Sequence, residues 1–273
     1  MRRTAPWCVF CLLLALSFNR AGAGGPSSES VVAEGGTIVG SVRLGGACPK
    51  LESLAITKDA DYCGRMKSCS RLVVGKGNGI EDAVVMLRGV TAAKAAGTGP
   101  TVTLDQFRCE YRPHVLVLPP NGKLEIRNSD PILHNVHAYA YDQNDLSLFN
   151  MAQPIRGQCT PVLGAKLPRE GTVLTTCDAG HPWMGAYIIP ASNPYYALTD
   201  KDGHFRIRNV PPGTYTITMW HEGVTIVGKE MENGTVKKYT YEKPYEDSRQ
   251  VVVPARGEVS VDFEFALRES AAH

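Results

Sequence analysis

The sequence carries no excess of charge of either sign: 29 Lys and Arg stand against 27 Asp and Glu, a net +2 over 273 residues. Without Arg2, Arg3 and Arg20, which lie in a segment read below as removed, the balance is −1. Binding to nucleic acid or to an anionic membrane surface needs a concentrated basic face, and no segment supplies one. Nor is there an apolar run of the roughly 20 residues that a membrane-spanning helix needs, the run from Trp7 to Phe18 being too short. No long stretch repeats its apolar residues at the 3.6-residue helical period. That absence excludes helical bundles and alternating α/β folds and leaves an all-β protein of short strands and turns. The length allows two ordinary domains, each with a sizeable core.

The first 23 residues join a basic start (Arg2, Arg3), the apolar run and the small residues Ala21-Gly22-Ala23. This is the pattern of a secretory signal peptide, and the Arg pair lacks the context of a twin-arginine signal. Residues 24–36 are a Gly/Ser-rich flexible leader. The mature chain is therefore expected in the periplasm or outside the cell, with no membrane span, in an oxidising medium where disulfides persist. Of 8 Cys, Cys8 and Cys11 leave with the signal; Cys48, Cys63, Cys69, Cys109, Cys159 and Cys177 stay. A Cys63–Cys109 bond is expected. Cys48, Cys69 and Cys159 leave room for a second bridge and a free thiol, and an alternative places Cys177 in a third bridge, since connectivity does not follow from sequence.

The chemistry concentrates in Thr176-Cys177-Asp178-Ala179-Gly180-His181-Pro182-Trp183-Met184. A thiolate, an imidazole and a thioether fall within eight residues, with Gly and Pro between them to turn the backbone. These are ligands for a soft or borderline metal, and two His, one Cys and a distant axial Met make a copper electron-transfer site. The second imidazole is best supplied by His134, in Asp130-Pro131-Ile132-Leu133-His134-Asn135-Val136-His137. Zinc prefers four strong N, S or O donors. A two-copper site needs two Cys in the loop, which has Cys177 alone.

Around these donors, Val115 to Leu118, a Pro119-Pro120-Asn121-Gly122 turn and Lys123 to Asn128 read as a hairpin leading to His134. Gly171 to Thr176 reads as a strand into Cys177, and Gly185 to Ile189 as the strand after Met184, so three donors share one hairpin loop. Residues 100–191 thus resemble a cupredoxin of the amicyanin and plastocyanin group. The resemblance implies that His134, Cys177, His181 and Met184 hold one copper, that the Asn135 backbone steadies the Cys sulfur, and that His137 is not a ligand. Three residues separate Cys177 from His181 where that group has two, so spectrum and potential do not carry over.

Strands are also expected at Thr37 to Leu44 and Ala83 to Arg88, with an irregular loop from Leu51 to Leu72 between them. Thr91 to Gly99 reads equally as a short helix or a connection. From Tyr195 to Thr218, strands are punctuated by turns at Asp202-Gly203 and Pro211-Pro212-Gly213, and Gly257 to Leu267 alternates as a closing edge strand. This part resembles the carboxypeptidase regulatory-like, or transthyretin-like, β-sandwich. Asp200 and Asp202 suit the turn better than calcium, and His221 suits a structural place better than a ligand's. The expected organisation is a sandwich of residues 37–99 and 192–268 with the cupredoxin, 100–191, inserted in it; a serial arrangement is the alternative.

The expected function is single-electron transfer through a type 1 copper site to an unidentified redox partner protein, docking on an apolar rim of Pro182 and Trp183. Copper storage or delivery is one alternative, and an adhesive or glycan-binding β-sandwich with a structural cupredoxin is another. Catalysis is not expected: a copper oxidase or nitrite reductase needs a further His-rich copper site, and His114, His137, His204, His221 and His273 are scattered with no His-x-His pair.

Overall fold

The computed structural model describes residues 34–90 and 99–267. The signal, most of the leader, the stretch left open from Thr91 and the final residues lie outside the described residues. The chain begins with β1 (Gly36–Gly45), β2 (Leu54–Ala55), the one-turn helix α1 (Ala60–Cys63), β3 (Met66–Lys67) and β4 (Val84–Arg88). It continues through β5 (Thr101–Gln106), β6 (Tyr111–Arg112), β7 (Val115–Leu118), β8 (Lys123–Asn128), β9 (His134–Ala140), β10 (Leu146–Gln153), β11 (Cys159–Val162), β12 (Val173–Thr176) and β13 (Gly185–Pro190). Last come β14 (Tyr196–Leu198), β15 (His204–Val210), β16 (Gly213–His221), β17 (Ile226–Glu232), β18 (Thr235–Tyr241), β19 (Tyr245–Val253), β20 (Glu258–Ser260) and β21 (Phe263–Ala266). The fold is all-β, as the sequence pattern dictates.

Two sheets, β15-β1-β20 with β21 also on β1, and β14-β4-β16-β19, enclose one core. Along β1 the alternate residues Ile38, Val42 and Leu44 point inward to meet Phe205, Ile207, Phe263 and Phe265, with Leu87, Ile217 and Met219 from the second sheet. β1 and β4 therefore pair with strands from beyond residue 195 and not with β5 to β13. The closing segment is not one strand. It breaks into β20 and β21, both parallel to β1, because Asp262 Oδ1 accepts from the Ser41 N–H and hydroxyl at 2.8 Å each and so replaces a backbone carbonyl in the ladder. Asp200 and Asp202 form the expected turn, Asp200 Oδ1 accepting from the Asp202 and His204 N–H groups at 3.0 and 2.9 Å. His221 is buried, its Nδ1 2.9 Å from the Glu222 carbonyl oxygen.

The second core, with Leu104, Ile126, Val136, Phe149, Val173 and Ile188 at its centre, lies between sheets β10-β9-β12-β13-β7 and β11-β8-β5-β6. Here one expectation fails. β7 and β8 are not a hairpin: β7 runs parallel to β13, whereas β8 pairs with β5 and β11 in the facing sheet, so residues 119–122 cross between sheets. The reason is legible in the side chains. All four residues of β7 are buried, while β8 alternates. Leu116 and Leu118 face the second core, and Val115 and Val117 pack outward against Val84, Met86 and Trp220 of the first sandwich. A strand covered on both faces needs an unbroken apolar run, and β7 has one.

The segment from Leu51 to Leu72 is more than a loop. It contains β2, α1 and β3, and the Cys63–Cys109 disulfide fastens it to the second core, as expected. Cys48, Cys69, Cys159 and Cys177 are free, so neither a second bridge nor one through Cys177 forms.

Candidate metal centre

β12 and β13 pair antiparallel from Thr176 with Gly185, and the loop between them is closed by the Met184 N–H donating to the His181 carbonyl at 2.9 Å. Gly180 takes φ +89°, a left-handed conformation that costs Gly little. A Cβ there would sit 2.8 Å from Lys58 Cδ. β9 pairs with β12, His137 opposite Thr176, which carries His134 at the start of β9 to the same end of the sheet. His134 and His181 are fully buried, and Cys177 and Met184 are 3% and 2% exposed.

The loop and β9 bring three donors together. Nδ1 of His134 lies 3.1 Å from Nδ1 of His181, and Cys177 Sγ lies 3.4 Å from His181 Nδ1 and 4.0 Å from His134 Nδ1. Met184 is in the same buried cluster as Cys177. The opposite ring nitrogens are occupied: His134 Nε2 is 2.8 Å from Asp130 Oδ2, and His181 Nε2 is 2.8 Å from Asp59 Oδ2. A carboxylate only accepts, so each Nε2 carries a proton, and in the neutral ring each Nδ1 then turns its lone pair inward. Two lone pairs 3.1 Å apart beside a sulfur repel one another unless a proton or a metal cation lies among them. Donors each about 2.0–2.3 Å from one metal ion stand ~3–4 Å apart, the spacing found here. The residues present fit a metal.

The surroundings fix these donors. The Asn135 N–H donates to Cys177 Sγ at 3.4 Å, while the Asn135 side-chain oxygen accepts from the Asp178 N–H at 2.6 Å. The buried Tyr111 hydroxyl shares its proton between the carbonyls of Asn135 and Thr176, at 2.5 and 2.9 Å, and so links the two donor segments. Burial pushes the Cys177 thiol up, against the pull of the Asn135 and Ala179 N–H groups. Burial also holds the His181 imidazole below its usual value, outweighing Asp59. Asp130 behaves oppositely: burial would raise its carboxyl, but hydrogen bonds from His134, the Cys109 N–H, Tyr62 and the Arg108 N–H bring it to about 2. His137 stands apart, bonded to Asp178 Oδ2 at 2.5 Å and Ser147 Oγ at 2.8 Å.

Sequence reading missed the two carboxylates. Asp130 had a signal, lying four residues before His134 with Pro131 between. Asp59 had only the nearby Cys63. The Trp183 side of the site is also covered, its Nε1–H donating to the Cys109 carbonyl at 3.1 Å. Carboxylate partners of ligating imidazoles typically carry a 10–100-fold effect on metal affinity. Asp130→Asn and Asp59→Asn should each weaken metal binding by about that factor in competition with a chelator; unchanged affinity in both would remove the anchoring role.

The family described as polysaccharide lyase family 4, domain II, matches residues 173–241. No curated protein sequence matches the chain. Among solved structures, amicyanin from Paracoccus versutus is similar over 39% of this chain and 97% of its own, with 15% identity and a TM-score of 0.29. A purple cupredoxin from Nitrosopumilus maritimus is similar over 40% of this chain and 97% of its own, with 21% identity and a TM-score of 0.25. A copper-containing nitrite reductase from Thermus scotoductus SA-01 is similar over 38% of this chain but only 25% of its own, with 18% identity and a TM-score of 0.28.

Proposed function

We propose that the chain is a mononuclear copper protein that transfers single electrons, with His134, Cys177 and His181 as the strong donors and Met184 as the weak fourth. The observation that carries the reading is the facing pair of carboxylate-anchored imidazoles beside a buried, unbridged sulfur. A thiolate and a thioether favour copper over zinc, which gains little from thioether. When bound, copper would supply a couple that gains or loses one electron. The chain's part is to hold the donors still: Asp59, Asp130, the Asn135 N–H and Tyr111 restrain them, and burial excludes water.

In this reading residues 100–191 are the copper domain, inserted in a carboxypeptidase regulatory-like sandwich of residues 37–99 and 192–268. The protein is secreted or periplasmic and acts as a carrier for a redox partner protein, not as a catalyst. Storage or delivery of copper is less well supported, because the donors are buried under a segment fastened by the Cys63–Cys109 bond. Adding copper to the purified mature chain should give one tightly held equivalent, slow loss to a chelator and a reversible one-electron wave. Rapid loss with no wave would replace electron transfer by delivery, and no binding would end both.

A further inference from the structure

β17 and β18 pair only with each other, outside both sandwiches, and most of their side chains are exposed. Residues of this hairpin and of the loop carrying Cys177 and Met184 together line a cleft of about 1290 Å³. We propose that the cleft binds a small, uncharged planar ring of the phenol or quinone class.

Its lining decides what fits. Five tyrosines line it: Tyr139, Tyr141, Tyr239 and Tyr241 are half-buried and present part of their rings, whereas Tyr187 is 2% exposed and its hydroxyl accepts from Arg71. One ring already serves as a stacking surface, with the Arg71 guanidinium 3.4 Å from the Tyr241 ring centre. Charge does not select an ion: both signs line the cleft, and most of these side chains are paired locally, while Lys58 donates to the Ala179 carbonyl at 2.6 Å. Lys237 lies 3.6 Å from Glu230 and 3.0 Å from Glu232, Lys238 lies 3.9 Å from Asp145, and Arg71 pairs with Glu222. Asp142 accepts from the Thr172 N–H and Asp178 from His137, so these carboxylates too are engaged. A saccharide stacks on tyrosine but needs carboxylates and amides to receive its many hydroxyls. A phenol or quinone needs few such partners. It gains from ring faces and from sulfur at its edge, and the residues Cys177 and Met184 stand in the inner wall.

The position suits the proposed electron carrier, and that significance rests on the copper reading. The other side of the donor set is closed, with Asp59 on His181 Nε2 and the Trp183 ring 5.2 Å from that of His181. A small molecule in the cleft lies on the side of the donor set where Cys177 and Met184 contribute to the wall. Binding itself requires no metal, which keeps the two readings separable.

The test is titration of the mature chain, without added metal and under anaerobic conditions, with 1,4-hydroquinone and in parallel with maltotriose, followed by amide NMR. Saturable shifts at residues 139–141, 176–185 and 236–241 with hydroquinone are expected, and none with maltotriose. Val236→Trp places a large ring in the cleft from the hairpin, away from both cores, and should weaken hydroquinone at least tenfold without changing the melting temperature. No saturable shifts, shifts elsewhere, unchanged binding by Val236→Trp, or maltotriose at the same residues would each overturn the proposal. Copper binding without hydroquinone binding ends this inference alone; the reverse ends only the copper reading.

Discussion

Cys177→Ser protein supplied with copper should show none of the intense visible absorption that a thiolate-to-copper charge transfer gives, whereas the parent should show it strongly. Serine removes the soft sulfur donor and puts a hydroxyl in its place. The pocket should still fold: the Asn135 N–H and the His181 imidazole, 3.4 Å from the native sulfur, give a hydroxyl partners. Loss of colour with a retained melting transition is therefore the expected pair of results. Met184→Leu is the companion. It keeps most of the buried volume and removes only the proposed weak contact, so the band should persist while the reduction potential rises or falls. A Cys177→Ser spectrum indistinguishable from the parent's would sink the ligand assignment.

Glu222→Gln should cost about 3–5 kcal/mol of unfolding free energy, the amount typical when one partner of a buried ion pair is removed. Glu222 is 1% exposed and accepts from Arg71, itself 9% exposed, and from His114. These partners come from the segment under the disulfide and from the approach to β7, so the carboxylate ties together parts that are 151 and 108 residues away in sequence. Burial would raise the Glu222 carboxyl, but Arg71 and then His114 win and hold it below the usual carboxylate range. A depressed carboxyl contributes stability that is full above its unfolded value, near 4.3, and is lost as pH falls through the folded one. Denaturant titrations should accordingly show the parent weakening below about pH 4 more steeply than Glu222→Gln. Replacing Arg71 by Met together with Glu222 by Leu should recover much of the loss, since a packed apolar pair can substitute for a buried ionic one. A single-variant cost under about 1 kcal/mol, within the range of an exposed pair, would show that the cluster ties nothing.

How much was legible differs from element to element. The all-β class, the strands flanking Cys177 and Met184, and the turn at Asp202-Gly203 followed from alternation and turn residues, which act over a few positions. The hairpin expected from Val115 to Asn128 failed because the Pro119 to Gly122 turn gives the chain a bend without saying whether the next strand stays in the same sheet. The four apolar residues of β7, which allowed two covered faces, were the better indicator. Asp130 was within reach of sequence reasoning, four residues before His134, but a carboxylate is chosen as an imidazole's anchor by geometry that spacing alone does not give.

The sequence by itself determined the donor types and their grouping, because Cys177, His181 and Met184 are held within eight residues of chain and a Gly-Pro-containing turn brings them to one end of a hairpin. The sequence also named His134 as the second imidazole, but tertiary structure alone decided that Asp59 reaches His181 across 122 positions and that a separate hairpin lines a tyrosine-bearing cleft beside Cys177. Those contacts depend on how distant apolar faces choose one another when two sheets close over a common core, and no local spacing encodes that choice.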